Sequence, residues 1–380
     1  MLEFRYIAFM KALRNFIVII SLFILACEPM DQEPDLISCE GTNRLSEINQ
    51  RNFGMGFTTW PYASSSESVD DTYSFLSNNA TIYVEHIDNR IPWDAWINDE
   101  TLPEAFVNDV ASRKQKSINS LNLLLAVSIL NGGRSGLIED FQGNLPEFEQ
   151  LDDAAIENAY VAHLNYLIDE LSPDYLLISI ESNELLINAP DQWEAFKRLM
   201  QNVKERITLA HPNIPLSESV TLHNWYSPQI SNPQDFITEV SEYVANYEFT
   251  AISFYPFFKG LRTTEDFQLA FDFLHEQTNQ PIAFVETAMI AENLEVSALN
   301  LSIPGDECEQ RAYLESLMFN AQEQDYEFII WWAHRDYDQL WNTFDESVKD
   351  LGKIWRDTGL LDEDGNPRPA FELWLELLAR

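Results

Sequence analysis

Between residues 54 and 332 the sequence returns eight times to a short apolar block, and each block is followed by a longer mixed stretch. The blocks are Gly54–Thr59, Thr81–Glu85, Leu123–Ile129, Tyr175–Ile180, Ser219–His223, Thr250–Tyr255, Ile282–Glu286 and Glu327–Trp332. Several are continuous Val, Ile, Leu and Phe rather than alternating, as strands covered on both faces require. Such strands pair in parallel, and parallel neighbours must be joined by crossovers, usually helices. The stretches between them carry helix signals. Pro103 heads EAFVNDVASRKQKSINSL, and Leu151–Leu171 carries Ile156, Tyr160, Leu164 and Ile168 four residues apart. Pro190 precedes DQWEAFKRLMQNVKERI, Asn232-Pro233 reads as an N-cap with Pro at the first helical position, and Thr263 with Asp266 reads as a capping box. Glu309–Gln324 and Glu346–Asp357 complete the set.

Eight strand–helix units predict an α/β fold, a single (β/α)8 TIM barrel over residues 51–380. An open doubly wound sheet is the alternative, but it calls for a Gly-rich first turn, and none is present. No linker stands out after about residue 50, so one domain, as a monomer, is expected.

The first residues read differently. Arg5, Lys11 and Arg14 precede the apolar run Phe16 to Leu25, which is shorter than the ~20 residues of a spanning helix and fits a secretory signal over 1–26. It closes as Ile24-Leu25-Ala26-Cys27, which resembles the bacterial lipobox. That resemblance implies a lipid on Cys27, a membrane contact through this anchor, and export to the outer membrane or cell surface. Residues 27–50 read as an acidic tether and lead-in. Cys39 and Cys308 are then left either to pair or to stay as two separate thiols.

Charge narrows the partners. With 62 Asp and Glu against 23 Lys and Arg, the formal charge is −39. Such a surface repels phosphate backbones, so nucleic acid is excluded as a partner. It also repels anionic headgroups, so membrane contact depends on the lipid device. No metal-ligand spacing or nucleotide loop is visible, and no cofactor or metal is expected. Asp88, Asp94 and Asp99 lack a calcium-loop pattern.

Working residues in a barrel of this kind project from the C-terminal ends of the strands. Here those ends carry Trp60, Glu85, His86, Asn183, Glu184, His223, Tyr255, Glu286, Trp332 and His334. Carboxylates with aromatic faces suit a carbohydrate, since rings stack on sugars and acids move protons or attack. Glu184 follows the fourth block in ISIESNELL and Glu286 ends the seventh in PIAFVETAM.

Those two positions resemble the acid/base and nucleophile of the clan A retaining glycoside hydrolases. The segments IESNE, SVTLHNW, AISFYPF and AFVETAM are most similar to the arabinogalactan endo-β-1,4-galactanase family, glycoside hydrolase family fifty-three. The resemblance implies Glu184 as acid/base, Glu286 as nucleophile, Asn183 on the sugar 2-hydroxyl, Tyr255 on the nucleophile, His223 lining the site and Trp332 as a platform. Trp60 and His86 are further substrate-binding candidates, and the partner implied is a polysaccharide or oligosaccharide. The similarity is strong over 175–290 and at the Trp pair of the eighth block. The first three blocks depart: TIYVEHID and LLLAVSIL bear no Arg where the family usually has one. Substrate is therefore less constrained than reaction, and β-mannanase or β-glucanase specificity, or a non-catalytic glycan-binding lipoprotein, are the alternatives. Glu181 shares strand parity with Asn183 and is expected to face inward. Trp93 and Trp96 are either a platform or a loop anchor, and His163, His211 and His275 fall on or beside helices.

Overall fold

A computed structural model describes Cys39 and residues 44–380. The basic segment, the apolar run, Cys27 and most of the acidic tether lie outside the described residues.

Five strands come first: β1 (Gly54–Thr58), β2 (Ile82–Ile87), β3 (Asn122–Val127), β4 (Tyr175–Leu177) and β5 (Leu216–Ser217). β6 (Ser219–Thr221), β7 (Thr250–Phe254) and β8 (Ile282–Thr287) follow, then a small antiparallel pair, β9 (Leu294–Val296) and β10 (Leu301–Ile303), and β11 (Phe328–Trp331). The main sheet runs β5-β4-β3-β2-β1-β11-β8-β7-β6, with parallel pairing throughout. It has nine pieces rather than eight because the fifth block is split. β5 pairs with β4, β6 pairs with β7, and the two are parted by Glu218 alone. The chain thus closes the ring through a strand with a break in it. Glu218 explains the break: its buried carboxylate accepts from Ser182, Tyr243 (2.9 Å) and Tyr247. Burial, partly offset by those three donors, pushes its pKa up to about 7.

The ring is filled by Ile82, Val84, Leu124, Ala126, Leu177, Ala251, Ala283, Val285 and Ile330. Each buried Val, Leu or Ile contributes roughly 1.5–3 kcal/mol by removal from water. At Gly56 a Cβ would strike the Ile82 carbonyl, so glycine permits the close approach of β1 to β2. The opposite strand faces pack on the helices. Ile156, Tyr160, Leu164 and Ile168 are all buried on the helix Ala154–Leu171, which Asp153 caps. The expected capping box at Thr263 and Asp266 opens the helix Thr264–Gln277. Two expectations need correction. Asn232 occupies the position before Pro233–Val244 but makes no side-chain cap bond. Residues 346–357 are not one helix: Glu346–Lys349 is followed by a 3-10 turn, Leu351–Lys353.

The lead-in packs under the barrel. Arg44–Glu47 is a 3-10 turn, Leu45 and Ile48 are buried, and Arg380 donates to the Ile48 carbonyl at 2.7 Å. Cys39 and Cys308 form a disulfide with Cα atoms 4.9 Å apart, tying this segment to the start of the helix Glu307–Glu323.

Candidate active site

Glu286 reaches the barrel mouth through an irregularity in β8. Along β7 the partners of Ile252 and Ser253 are Phe284 and Glu286, and on the β11 side the register also slips here. One extra residue, Val285, is therefore inserted. A bulge rephases the alternation of a strand. Ala283 and Val285 face the interior, while Phe284 belongs to the helix-facing core and Thr287 bonds the Phe254 carbonyl and the Tyr313 hydroxyl. Glu286 follows Val285 inward instead of pointing away from it. There its two oxygens are separately held: Tyr255 donates to Oε1, and His86 Nε2 lies 3.2 Å from Oε2. Burial alone would raise the Glu286 pKa, but the His86 hydrogen bond and charge, with the Tyr255 bond, outweigh it and hold the carboxyl below its ordinary value. In return, burial disfavours the His86 cation, yet Glu286 overcomes this and raises the His86 pKa.

Glu184 sits in the first turn of the short helix Asn183–Asn188, just past β4. Thr221, the last residue of β6, donates to its Oε1, as does Asn224 at 2.7 Å. Burial pushes the Glu184 pKa up, and these two bonds with the charges of Lys259 and Arg134 only partly oppose it. Asn183 is fully buried, and its amide is engaged with Thr221, accepting from the backbone N at 2.8 Å and donating to the carbonyl and hydroxyl at 3.2 Å. It thus braces Thr221 against Glu184.

A third carboxylate stands beside these two. Glu181, at φ 56°, receives Ser253 Oγ at 2.8 Å and pairs with Arg134 Nη2 at 3.1 Å. Its pKa is raised, by burial first and then by the charges of Glu286 and Glu184, against the opposing charge of Arg134. Arg134 went unnoticed in the sequence. It lies on no strand but in the loop after β3, at φ 47°, anchored by Asn131, whose carbonyl accepts from the guanidinium at 3.1 Å. Its charge acts on all three glutamates. The NGGRSG turn was the available signal, and reading strand ends alone passed over it.

Aromatic rings wall the mouth on two sides. On the Glu286 side Trp60 lies 5.3 Å from Trp332, which lies 5.8 Å from the His86 ring. Phe258, 5.5 Å from His223 and 6.3 Å from Trp355, forms the other wall, and Phe258 also touches Tyr255 at 6.0 Å. Trp355 is a second residue the sequence reading missed. His223 is buried, with Nδ1 unpartnered, and burial lowers its pKa to about 3.

Other candidates fall outside the mouth. Glu85 points to the helix layer, where Tyr73, Thr59 and Arg113 hold it, so of the pair at the end of β2 only His86 enters the site. Trp93 is buried and donates to the Ile138 carbonyl at 2.7 Å, and Trp96 packs on His163 and Tyr166, so this pair anchors a loop. His334 is buried against Phe75, and Asp336 pairs with Arg368 at 2.6 Å. His211 bonds Asn165 and His275 bonds Tyr326, both away from the mouth. Among the described residues two acidic groups are close enough to share a cation, Glu292 with Asp336 and Glu363, and Asp336 with Asp338 and Asp357. The Asp336 carboxylate common to both is already bound by Arg368 and by the Gly359 amide at 2.7 Å.

A family model described as Glycosyl hydrolase family 53 matches residues 146–374. No curated protein matches the sequence. Among solved structures, the Ignisphaera aggregans GH53 catalytic domain is 15% identical, with 93% of this chain and 99% of that chain covered and a TM-score of 0.54. The GH5_18 protein from Bifidobacterium longum is 16% identical over 86% of this chain and 79% of its own, with a TM-score of 0.62. An exo-β-1,4-mannosidase from Opitutaceae bacterium strain TAV5 is 11% identical over 86% of this chain and 59% of its own, at 0.60. At such identities the structural likeness speaks for the fold alone.

Proposed function

The chain belongs to glycosyl hydrolase family 53 and is a retaining glycoside hydrolase; from that premise we propose that Glu184 and Glu286 cleave a β-glycosidic bond in a polysaccharide by double displacement. The observation that carries this reading is the opposite poise of the two acids. His86 and Tyr255 hold the Glu286 carboxyl below its ordinary pKa, while burial raises that of Glu184. Paired carboxyls with pKa values pushed apart are what a nucleophile and a general acid need.

In the first step a Glu286 oxygen attacks the anomeric carbon, the bond from that carbon to the leaving oxygen breaks, and Glu184 gives its proton to that oxygen. Glu184, now ionised, takes a proton from water as the water attacks the same carbon. The Glu286 ester bond breaks, and both acids regain their starting states. Trp332 and Trp60 offer apolar faces for sugar rings beside the nucleophile. An endo-β-1,4-galactan specificity is the reading favoured by the family. Export and lipid anchoring at Cys27 complete the proposal, supported by the lipobox-like sequence; a Cys27→Ala chain is expected to leave the membrane fraction on cell lysis.

The test is reducing-end release by the full chain from β-1,4-galactan, mannan, xylan and mixed-linkage glucan, with Glu286→Ala beside it. Release from one polymer, absent in the variant, with the β-anomer appearing first by NMR, is the expected result. The α-anomer first would overturn double displacement. No release from any polymer, with retention on one of them, would establish a binding protein instead.

A further inference from the structure

In a chain with this excess of acid, basic side chains find partners easily. Among the described residues every Arg and Lys side chain meets a carboxylate, a carbonyl oxygen or an aromatic face, except Lys259. Lys259 is half-buried at the end of the 3-10 turn Pro256–Lys259, which leaves β7 directly after Tyr255. Gly260, at φ +66°, ends the turn.

The charges on the nucleophile side are matched: His86 faces Glu286, and Arg134 faces Glu181. Lys259 acts electrostatically on Glu184 and on His223. Glu184 starts the reaction protonated under the proposed mechanism, so it then supplies no counter-charge. Next to Lys259 the buried His223 Nδ1 also lacks a partner, and Phe258 and Trp355 offer ring faces. An unpaired ammonium, an unpartnered imidazole nitrogen and two aromatic rings thus stand together on the acid's side. A leaving sugar docks on that side, because the acid protonates its oxygen.

We propose that Lys259, with His223 beside it, binds an anionic substituent, a carboxylate or a sulfate ester, on the sugar at the leaving-group side of the scissile bond. This rests on the assignment of Glu184 and Glu286 above and adds a substrate class to it. The overall negative charge disfavours such polymers at long range, but screening limits that effect to about 8 Å at physiological salt, and the buried mouth is governed by its own charges. A cation that lacks a partner in the free protein breaks no ion pair on binding, so the gain with an anion is opposed only by the loss of water from both charges.

The test uses galactan, mannan and mixed-linkage glucan, each in three forms: neutral, oxidised at C6 to the uronate, and sulfated. Calorimetric affinities are measured on the full chain carrying Glu286→Gln, so that turnover does not intrude. Affinity for one charged form at least about tenfold above its neutral parent is expected, falling with salt. That ratio should drop towards one with Lys259→Gln and be largely kept with Lys259→Arg, whose retained preference also shows a folded site. A gain confined to the oxidised or to the sulfated form identifies the group. No preference for any charged form, binding to none included, or an equal loss for neutral and charged forms in Lys259→Gln, overturns the proposal. Absence of reducing ends from the Glu286-intact chain, with the charge preference present, would overturn the hydrolase mechanism and leave the anion site standing.

Discussion

The two parts of the barrel furnish the mouth by different means. From β4 onward, most functional groups stand on a strand or directly after one, Thr221 on β6, Tyr255 after β7, Glu286 on β8 and Trp332 after β11, and only Glu181 and Glu184 follow β4 at a greater distance, Glu184 in the first turn of a helix. From β1 to β3 the strands mostly supply filling, such as Ile82, Val84, Leu124 and Ala126. That part adds His86 from a strand, and its cation Arg134 arrives on a loop past the end of β3. A strand end has one position set by the sheet, whereas a loop can deliver the same charge from another address. Chemistry is therefore tied to the later strands, and the earlier ones tune it.

If so, losses should be steepest in the later part. Glu286→Ala is expected to lower kcat on the order of 10⁴-fold, and Glu184→Gln by about 10²–10⁴-fold, in a reducing-sugar assay. Arg134→Gln should cost less, roughly tenfold in kcat/KM, with a signature of its own. Removing that cation lifts the pKa values of both Glu286 and Glu184, so both limbs of the pH–rate profile move to higher pH. A loss from Arg134→Gln as large as from Glu286→Ala would break the comparison. Next, Asn224→Ala removes a bond that favours ionised Glu184. Only the alkaline limb, which falls as Glu184 loses its proton, should then shift, and it should shift upward. The mildest effect on catalysis is expected from Cys308→Ser. It should leave kcat/KM unchanged and reduce unfolding free energy by about 2–4 kcal/mol in denaturant titration.

The same contrast governs what could be read from residues alone. Apolar blocks and helix caps are local signals, and they located the barrel and its site-bearing strands. The split of the fifth block was not legible, because it depends on Tyr243, Tyr247 and Ser182 converging on Glu218 from other elements. Arg134 was missed for a related reason: nothing in NGGRSG says which carboxylate the turn will face. Glu286 was picked out by its place at the end of the seventh block and given its role by the family resemblance, while strict alternation from Ala283 would have turned it to the helix layer. The bonds from Asn183 to Thr221 were not legible either, because they join two separate strand ends.

The bulge in β8 bears on how such a site can change. Val285 acts like a single inserted letter that shifts the reading frame of everything after it. Pairing the strand regularly through Val285, with the bulge lost, would leave Glu286 in the chain and in the strand, yet the carboxylate would trade places with the face now held by Thr287, among Phe254 and Tyr313. A lineage could thus silence this nucleophile without substituting it. Inventories that check only whether the two acids are present would still count such a protein as an enzyme.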